Sequence, residues 1–247
     1  MMEINKIYQI DVLEGLAQLP DNSIDLIITS PPYNKTGLRG NLKRYASQKW
    51  NEVIHYAGDE NADNMPEDEY QQWQTQILNE CHRVLKPEGS MFYNHKNRLH
   101  NGKTYTPYEW LLNTNFIIRQ EIVWDRGSTP NINKSRYMPS TERIYWLTKT
   151  KYPRFDRQQN TPFKTEVWYV PAERNTPHPA PMPLAIPDNI IPNIALGERI
   201  LVLDIFMGSG TTAISAIKNG CDYIGFELFQ EYVDMANKRI EDYVHSN

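Results

Sequence analysis

The chain is poor in the features that mark several common protein classes. Its two cysteines, Cys81 and Cys221, are too few for a disulfide framework and lack the spacing of a metal site. Both read as small apolar residues in a reducing compartment. No apolar run approaches the ~18 residues that cross a bilayer. The opening Met1-Met2-Glu3-Ile4-Asn5-Lys6 lacks the basic-then-apolar order of a secretory leader. A formal net charge of −4 denies the chain the overall basicity that signals a nucleic-acid partner. Internal repeats and low-complexity tracts are also missing. What is left is the expectation of a soluble cytoplasmic protein of 247 residues, long enough to bury one α/β core.

The near-neutral total hides an uneven distribution. Lys35 to Lys49 holds five basic residues and no acid, and Asp59 to Glu69 then holds six acids and no base. Asp125 to Arg157 has eight basic residues against three acids, interleaved with Tyr137, Tyr145, Trp146, Tyr152 and Phe155. Two basic segments therefore stand outside the strands that carry the motifs below. Each is either an ordinary solvated loop or a surface for a polyanion.

Ile24-Asp25-Leu26-Ile27-Ile28-Thr29 reads as a buried strand of a parallel sheet. Ser30-Pro31-Pro32-Tyr33 follows it, and two prolines stiffen the exit because each ring fixes φ. A rigid strand end with a hydroxyl, free carbonyls and an aromatic ring suits a flat polar guest, although a plain proline turn would look the same. Tyr70 to Leu85 has helical spacing of Tyr70, Trp73, Ile77, Cys81 and Val84. Lys86-Pro87-Glu88-Gly89 is expected to stop it ahead of a strand at Ser90 to Tyr93. Further strands are expected at Ile117 to Trp124 and Arg143 to Thr148. Thr176 to Asn193 contains six prolines, so it is expected to begin as an irregular connector, with helix only in short pieces in its later part, Leu184 to Ile194.

Val202 to Ala213 runs strand, glycine turn, helix, and Gly208, Gly210 and Ala213 have the G-x-G-x-x-A spacing of a nucleotide-binding turn. The glycines allow tight curvature and close approach of a ligand. The strand Tyr223 to Glu227 ends in an acid able to accept both hydroxyls of an adenosine ribose. A dinucleotide would place its pyrophosphate at the helix start. S-adenosylmethionine carries cationic groups instead, and Asp204, just before the turn, suits those.

Thr29 to Asn34 together with Asp204 to Thr212 resembles the amino-methylating DNA methyltransferases of bacteria and phages. The order, S-P-P-Y early and glycine turn late, is similar to their permuted β group. Arg83 to Ser90, His178-Pro179-Ala180 and Pro183-Leu184 agree with it, so the resemblance covers Ile10 to Ile240. It implies an α/β, Rossmann-like sheet with helices on both faces, in one domain with DNA-contacting insertions at about 35–65 and 125–175. It implies transfer of a methyl group from S-adenosylmethionine to the exocyclic amine of a flipped base in double-stranded DNA. Ser30, Pro31, Pro32 and Tyr33 would form the catalytic site, with Ser30 Oγ and the Pro31 carbonyl accepting from the amine and Tyr33 stacking on the base. Asp11, Asp204, Phe206, Gly208, Ser209, Gly210, Thr211 and Glu227 would hold the cofactor. As a bare feature, Asp11 equally reads as a helix cap. Lys35, Arg39, Lys43, Arg44, Lys134 and Arg136 are the candidate phosphate contacts. The resemblance also allows a homodimer and a separate restriction nuclease as partners.

Ser30 stands where adenine-specific members usually carry Asp and cytosine-N4 members Ser. Both side chains can accept from an amine, so adenine N6 and cytosine N4 both stay open. An RNA or protein methyltransferase with the same cofactor is the main alternative. An NAD-dependent oxidoreductase would explain Gly208, Gly210 and Glu227 but leaves S-P-P-Y without a role.

Overall fold

The computed structural model describes residues 2–34, 65–100, 102–129, 134, 136–171 and 182–246. In chain order the strands are β1 (Lys6–Gln9), β2 (Ile24–Thr29), β3 (Leu85–His95), β4 (Arg98–His100), β5 (Lys103–Tyr105), β6 (Ile117–Asp125), β7 (Thr141–Thr148), β8 (Val167–Tyr169), β9 (Leu201–Asp204) and β10 (Asp222–Glu227). The helices are α1 (Val12–Ala17), α2 (Glu67–Val84), α3 (Tyr108–Leu111), α4 (Ala185–Ala195), α5 (Thr211–Lys218) and α6 (Gln230–Ser246).

Eight strands form one sheet in the order β1-β10-β9-β2-β3-β7-β6-β8, and β4 and β5 form a separate antiparallel pair. β1, β10, β9, β2 and β3 are parallel to one another. β7 is antiparallel to both of its neighbours, and β8 is parallel to β6. Strands in the middle of such a sheet face apolar layers on both sides, so they are built almost wholly from apolar residues. β2 shows it: Leu26 and Ile28 join one core, and Ile24 and Ile27 join the other. Residues of α4, α5 and α6 complete the first core, and residues of α1, α2 and α3 complete the second. The molecule is therefore a three-layer α/β/α structure.

Two local expectations change. Helix α2 hands over to β3 directly at Leu85, and Lys86-Pro87-Glu88-Gly89 sits inside the strand. The pairing with β2 jumps there from Ile24↔Leu85 to Leu26↔Ser90. The helix thus ends ahead of these residues as expected, but they form a bulge at the start of the strand and not a connector before it. The proline-rich connector contains α4, one continuous helix. Pro187 falls in its first turn, where the missing N–H has no intrahelical partner to lose. Ile186, Ile190, Ile191 and Ile194 are all buried. Burying four such side chains, at roughly 1.5–3 kcal/mol each, outweighs the ~3 kcal/mol that interior Pro192 costs.

Because β1, β10, β9, β2 and β3 run in parallel, their carboxyl ends share one edge of the sheet. The antiparallel register His95↔Arg143 and the pair Asp125↔Thr141 bring the end of β6 and the start of β7 to that same edge. Open α/β sheets bind ligands at such edges.

Candidate active site

The two motifs meet through a buried carboxylate. Asp204 ends β9 at 3 % exposure. Its Oδ1 accepts from Thr29 Oγ1 at the end of β2 (2.8 Å) and from the Phe206 N–H (3.1 Å). Its Oδ2 accepts from Thr212 Oγ1 in α5 (2.6 Å). One side chain thus ties the S-P-P-Y strand, the glycine turn and the following helix together. Burial pushes this carboxyl up to about 6, against the opposing pull of its hydrogen bonds from Thr212, Phe206 and Thr29.

Met207 to Gly210 form the turn between β9 and α5. The Met207 N–H donates to the Phe226 carbonyl (2.8 Å) and the Gly208 N–H to Glu227 Oε2 (3.0 Å), which seats the turn on the end of β10. Gly210 has φ +80°, and a Cβ there would stand 3.1 Å from Ala236 Cβ. Arg239 of α6 reaches back to donate to the Ser209 carbonyl (2.5 Å). Ser209 and Thr211 are buried, while Phe206 is half-buried and packs edge-on against Trp73, centroids 6.0 Å apart. Glu227 Oε1 accepts from the Phe229 N–H (3.1 Å), and burial raises its carboxyl above the usual range. Asp11 caps α1, accepting from the N–H groups of Leu13 (2.8 Å) and Glu14 (3.4 Å). It follows β1, so it stands at the same edge as Glu227.

The S-P-P-Y segment leads into a second polar cluster. Tyr33 is 7 % exposed; it faces inward, tilted against the His95 ring with centroids 4.6 Å apart. Its hydroxyl lies 2.8 Å from Ser30 Oγ and donates to Glu142 Oε2 of β7 (2.9 Å). Burial, and then the negative charge of Glu142, hold the Tyr33 phenol well above its usual range. Asn94 Nδ2 donates to Tyr33 Oη (2.7 Å), Glu142 Oε2 (3.2 Å) and Ser30 Oγ (3.3 Å). Arg126 Nη1 pairs with Glu142 Oε1 at 3.1 Å. The Pro32 carbonyl accepts from Tyr70 Oη (2.7 Å), which also lies 2.7 Å from His95 Nε2.

Sequence reasoning missed Thr29 as a linker and missed Asn94, His95, Arg126 and Glu142 altogether. Of the basic residues singled out, Lys134 and Arg136 are exposed, in the segment joining β6 to β7. Lys35, Arg39, Lys43, Arg44 and His178 lie outside the described residues. No group of three or more His, Cys, Asp or Glu able to hold a metal occurs among the described residues.

A DNA methylase family model, that of the N6/N4 enzymes, matches residues 24–238. The chain belongs to this family. It is 30% identical over 270 residues to the type II methyltransferase M.BglII of Bacillus subtilis, covering 94% of this chain and 68% of that one. It is 27% identical over 263 residues to the DNA adenine methyltransferase YhdJ of Escherichia coli K12, covering 94% and 81%. Among solved structures, the cytosine-N4-specific PvuII DNA methyltransferase superposes with a TM-score of 0.73 at 22% identity, covering 98% of this chain and 95% of that one. The protein is a DNA methyltransferase, for which the expected cofactor is S-adenosylmethionine. Its residues fit that group: the glycine turn brings bare backbone to the sheet edge, and the buried Asp204 carboxylate is held by two hydroxyls and an N–H, all neutral donors. A positively charged ligand is what such a carboxylate lacks.

Proposed function

We propose that Ser30-Pro31-Pro32-Tyr33 receives an extruded base, adenine or cytosine, while the turn from Phe206 to Thr211 holds the methyl donor. Glu227 would accept from the ribose hydroxyls and Asp204 would face the donor's cationic tail. Asp11 would contact its adenine end. The donor supplies an electrophilic methyl group. The protein's task is orientation, since the amine lone pair is delocalised into the base ring and must be turned toward the methyl carbon. Pre-organisation of two reactants supplies up to ~7–11 kcal/mol in favourable cases. The half-buried Ser30 hydroxyl and the Pro31 carbonyl are the acceptors that would hold the amine. Extrusion costs a few kcal/mol, and Lys134, Arg136 and the basic residues between 35 and 44 would offset it through phosphate contacts.

The observation that carries this reading is the 2.8 Å hydrogen bond from Thr29 to Asp204, which fastens the residue before Ser30 to the last residue of the strand that leads into the cofactor turn. The test is modification-aware sequencing of DNA from a host expressing the protein, which reads base, position and recognition sequence together. Ser30→Ala with Tyr33→Ala should abolish the modification and retain binding of S-adenosylmethionine; unchanged turnover would remove the catalytic assignment. A cytoplasmic location follows from the substrate. The homodimer and the paired nuclease belong to the same proposal; the first is read by sedimentation of the protein alone and with duplex, the second by restriction of unmodified phage.

A further inference from the structure

Ser30, Tyr33 and Glu142 form a chain of hydroxyls ending on a carboxylate, and its polarity is fixed. Tyr33 has one phenolic hydrogen and donates it to Glu142 Oε2 at 2.9 Å. In the 2.8 Å contact between Ser30 Oγ and Tyr33 Oη the donor is therefore Ser30. Asn94 Nδ2 donates to one lone pair of Ser30 Oγ at 3.3 Å, which leaves the other to accept from a group entering the site. Ser30 is half-buried, whereas Tyr33, Asn94 and Glu142 are buried, so Ser30 is the open end of the chain. Asn94 Nδ2 reaches all three and holds the oxygens in line.

Resting on the reading above, we propose that Glu142 is the terminal acceptor of the proton that the target amine loses. As the amine nitrogen forms its bond to the methyl carbon, the carbon–sulfur bond breaks and its electron pair stays on sulfur. The positive charge passes to the nitrogen, which must then shed a proton. That proton goes to Ser30 Oγ, the Ser30 hydrogen moves to Tyr33 Oη, and the Tyr33 hydrogen moves to Glu142. The products are a neutral methylated amine and a neutral Glu142 acid. Tyr33 is a conduit rather than a base, because burial and the facing carboxylate keep its phenol protonated. The Arg126 guanidinium pairs with Oε1 and leaves Oε2 to the chain. Glu142 touches no substrate atom. It acts through Tyr33 and Ser30, a positioning and proton-accepting role that the S-P-P-Y motif does not reveal.

The test is single-turnover methylation by rapid quench, using a duplex carrying the site that the wild-type enzyme modifies. Glu142→Gln keeps the shape and the acceptor for Tyr33 but takes up no proton, and Tyr33→Phe keeps the ring and cuts the chain. Each should slow the step by about 100-fold, within the usual range for general acid–base groups, with the affinity for duplex and for S-adenosylmethionine changed by less than about threefold. The double variant should be no slower than either single one. Wild-type rates in the variants, or additive losses in the double variant, would each overturn the relay. Tyr33→Phe decides the matter if Glu142→Gln does not fold. Failure of the wild-type enzyme to modify a DNA amine would instead remove the function proposed above.

Discussion

Asp204→Asn should stabilise the free protein at neutral pH and weaken its hold on the cofactor. The Asp204 carboxyl is raised from 3.8 to about 6, with burial as the largest cause. A raised folded value means that the folded state binds the proton more tightly than the unfolded chain. Stability from this group is thus fully present below about pH 4 and is lost as pH rises through about 6. At 1.36 kcal/mol per unit, the total loss is about 3 kcal/mol, of which roughly half falls between pH 5 and pH 8. The asparagine side chain would keep an acceptor for the Thr29 or Thr212 hydroxyl and carry no charge to desolvate. Urea unfolding followed by tryptophan fluorescence at pH 5 and pH 8 measures the difference between the two proteins. The stability advantage of the variant should grow by about 1.5 kcal/mol over that interval. Glu227 is also raised, but it titrates in both proteins and largely cancels. A difference that stays flat with pH would refute the argument, because it would mean that Asp204 ionises equally in the folded and unfolded chains. Calorimetric titration with S-adenosylmethionine supplies the other half: weaker binding by the more stable variant marks the buried charge as one kept for a ligand.

Gly210→Ala places a side chain at φ +80° and 3.1 Å from Ala236 Cβ. A loss of about 2 kcal/mol is expected, a fall in Tm of about 5 °C, and an unchanged Tm would show that α6 yields freely. Glu67→Gln breaks the bidentate pair with Arg98, both bonds 2.7 Å, and leaves a guanidinium at 2% side-chain exposure without its counter-charge. Unfolding should become easier by ~3–5 kcal/mol, and the double variant Glu67→Leu with Arg98→Met should recover much of it. Lys134→Ala with Arg136→Ala should reduce duplex affinity regardless of sequence. The slope of log affinity against log salt, read by fluorescence anisotropy, should fall by about 2 if both side chains contact phosphates.

Much of the fold was legible because buried parallel strands have little freedom in composition. Ile24 to Thr29 and Leu201 to Asp204 are apolar runs closed by turn residues, and no other element type fits runs so short. The glycine turn was legible for a different reason: Gly210 holds a conformation that side chains resist. The antiparallel direction of β7 was not legible, since an alternating pattern carries no polarity; direction is set by the connections. Helix α4 was misread because proline counts as a breaker in isolation, whereas here four buried isoleucines on the same helix decide the matter.

The site divides along the same line. Ser30 to Tyr33 and Asp204 to Thr211 could be found because each is a local arrangement whose chemistry is complete within a few residues. Glu142 could not, because nothing around it in sequence makes it functional. Its partners Tyr33, Asn94 and Arg126 come from three other segments, brought together by the register of β3 with β7 and β7 with β6. A faint signal did exist. Asp125 to Arg157 holds three acids against eight basic residues, and Glu142 is the one of them that is buried, ahead of the apolar run Ile144 to Leu147. Asn94 and His95 likewise end β3 after the buried run Met91 to Tyr93, next to the S-P-P-Y strand, and are buried at 2 % and 0 % exposure. A polar side chain at the buried carboxyl end of a central strand must find partners or forfeit its solvation. In a sheet that binds its ligands at that edge, such residues are the ones to weigh beside any motif.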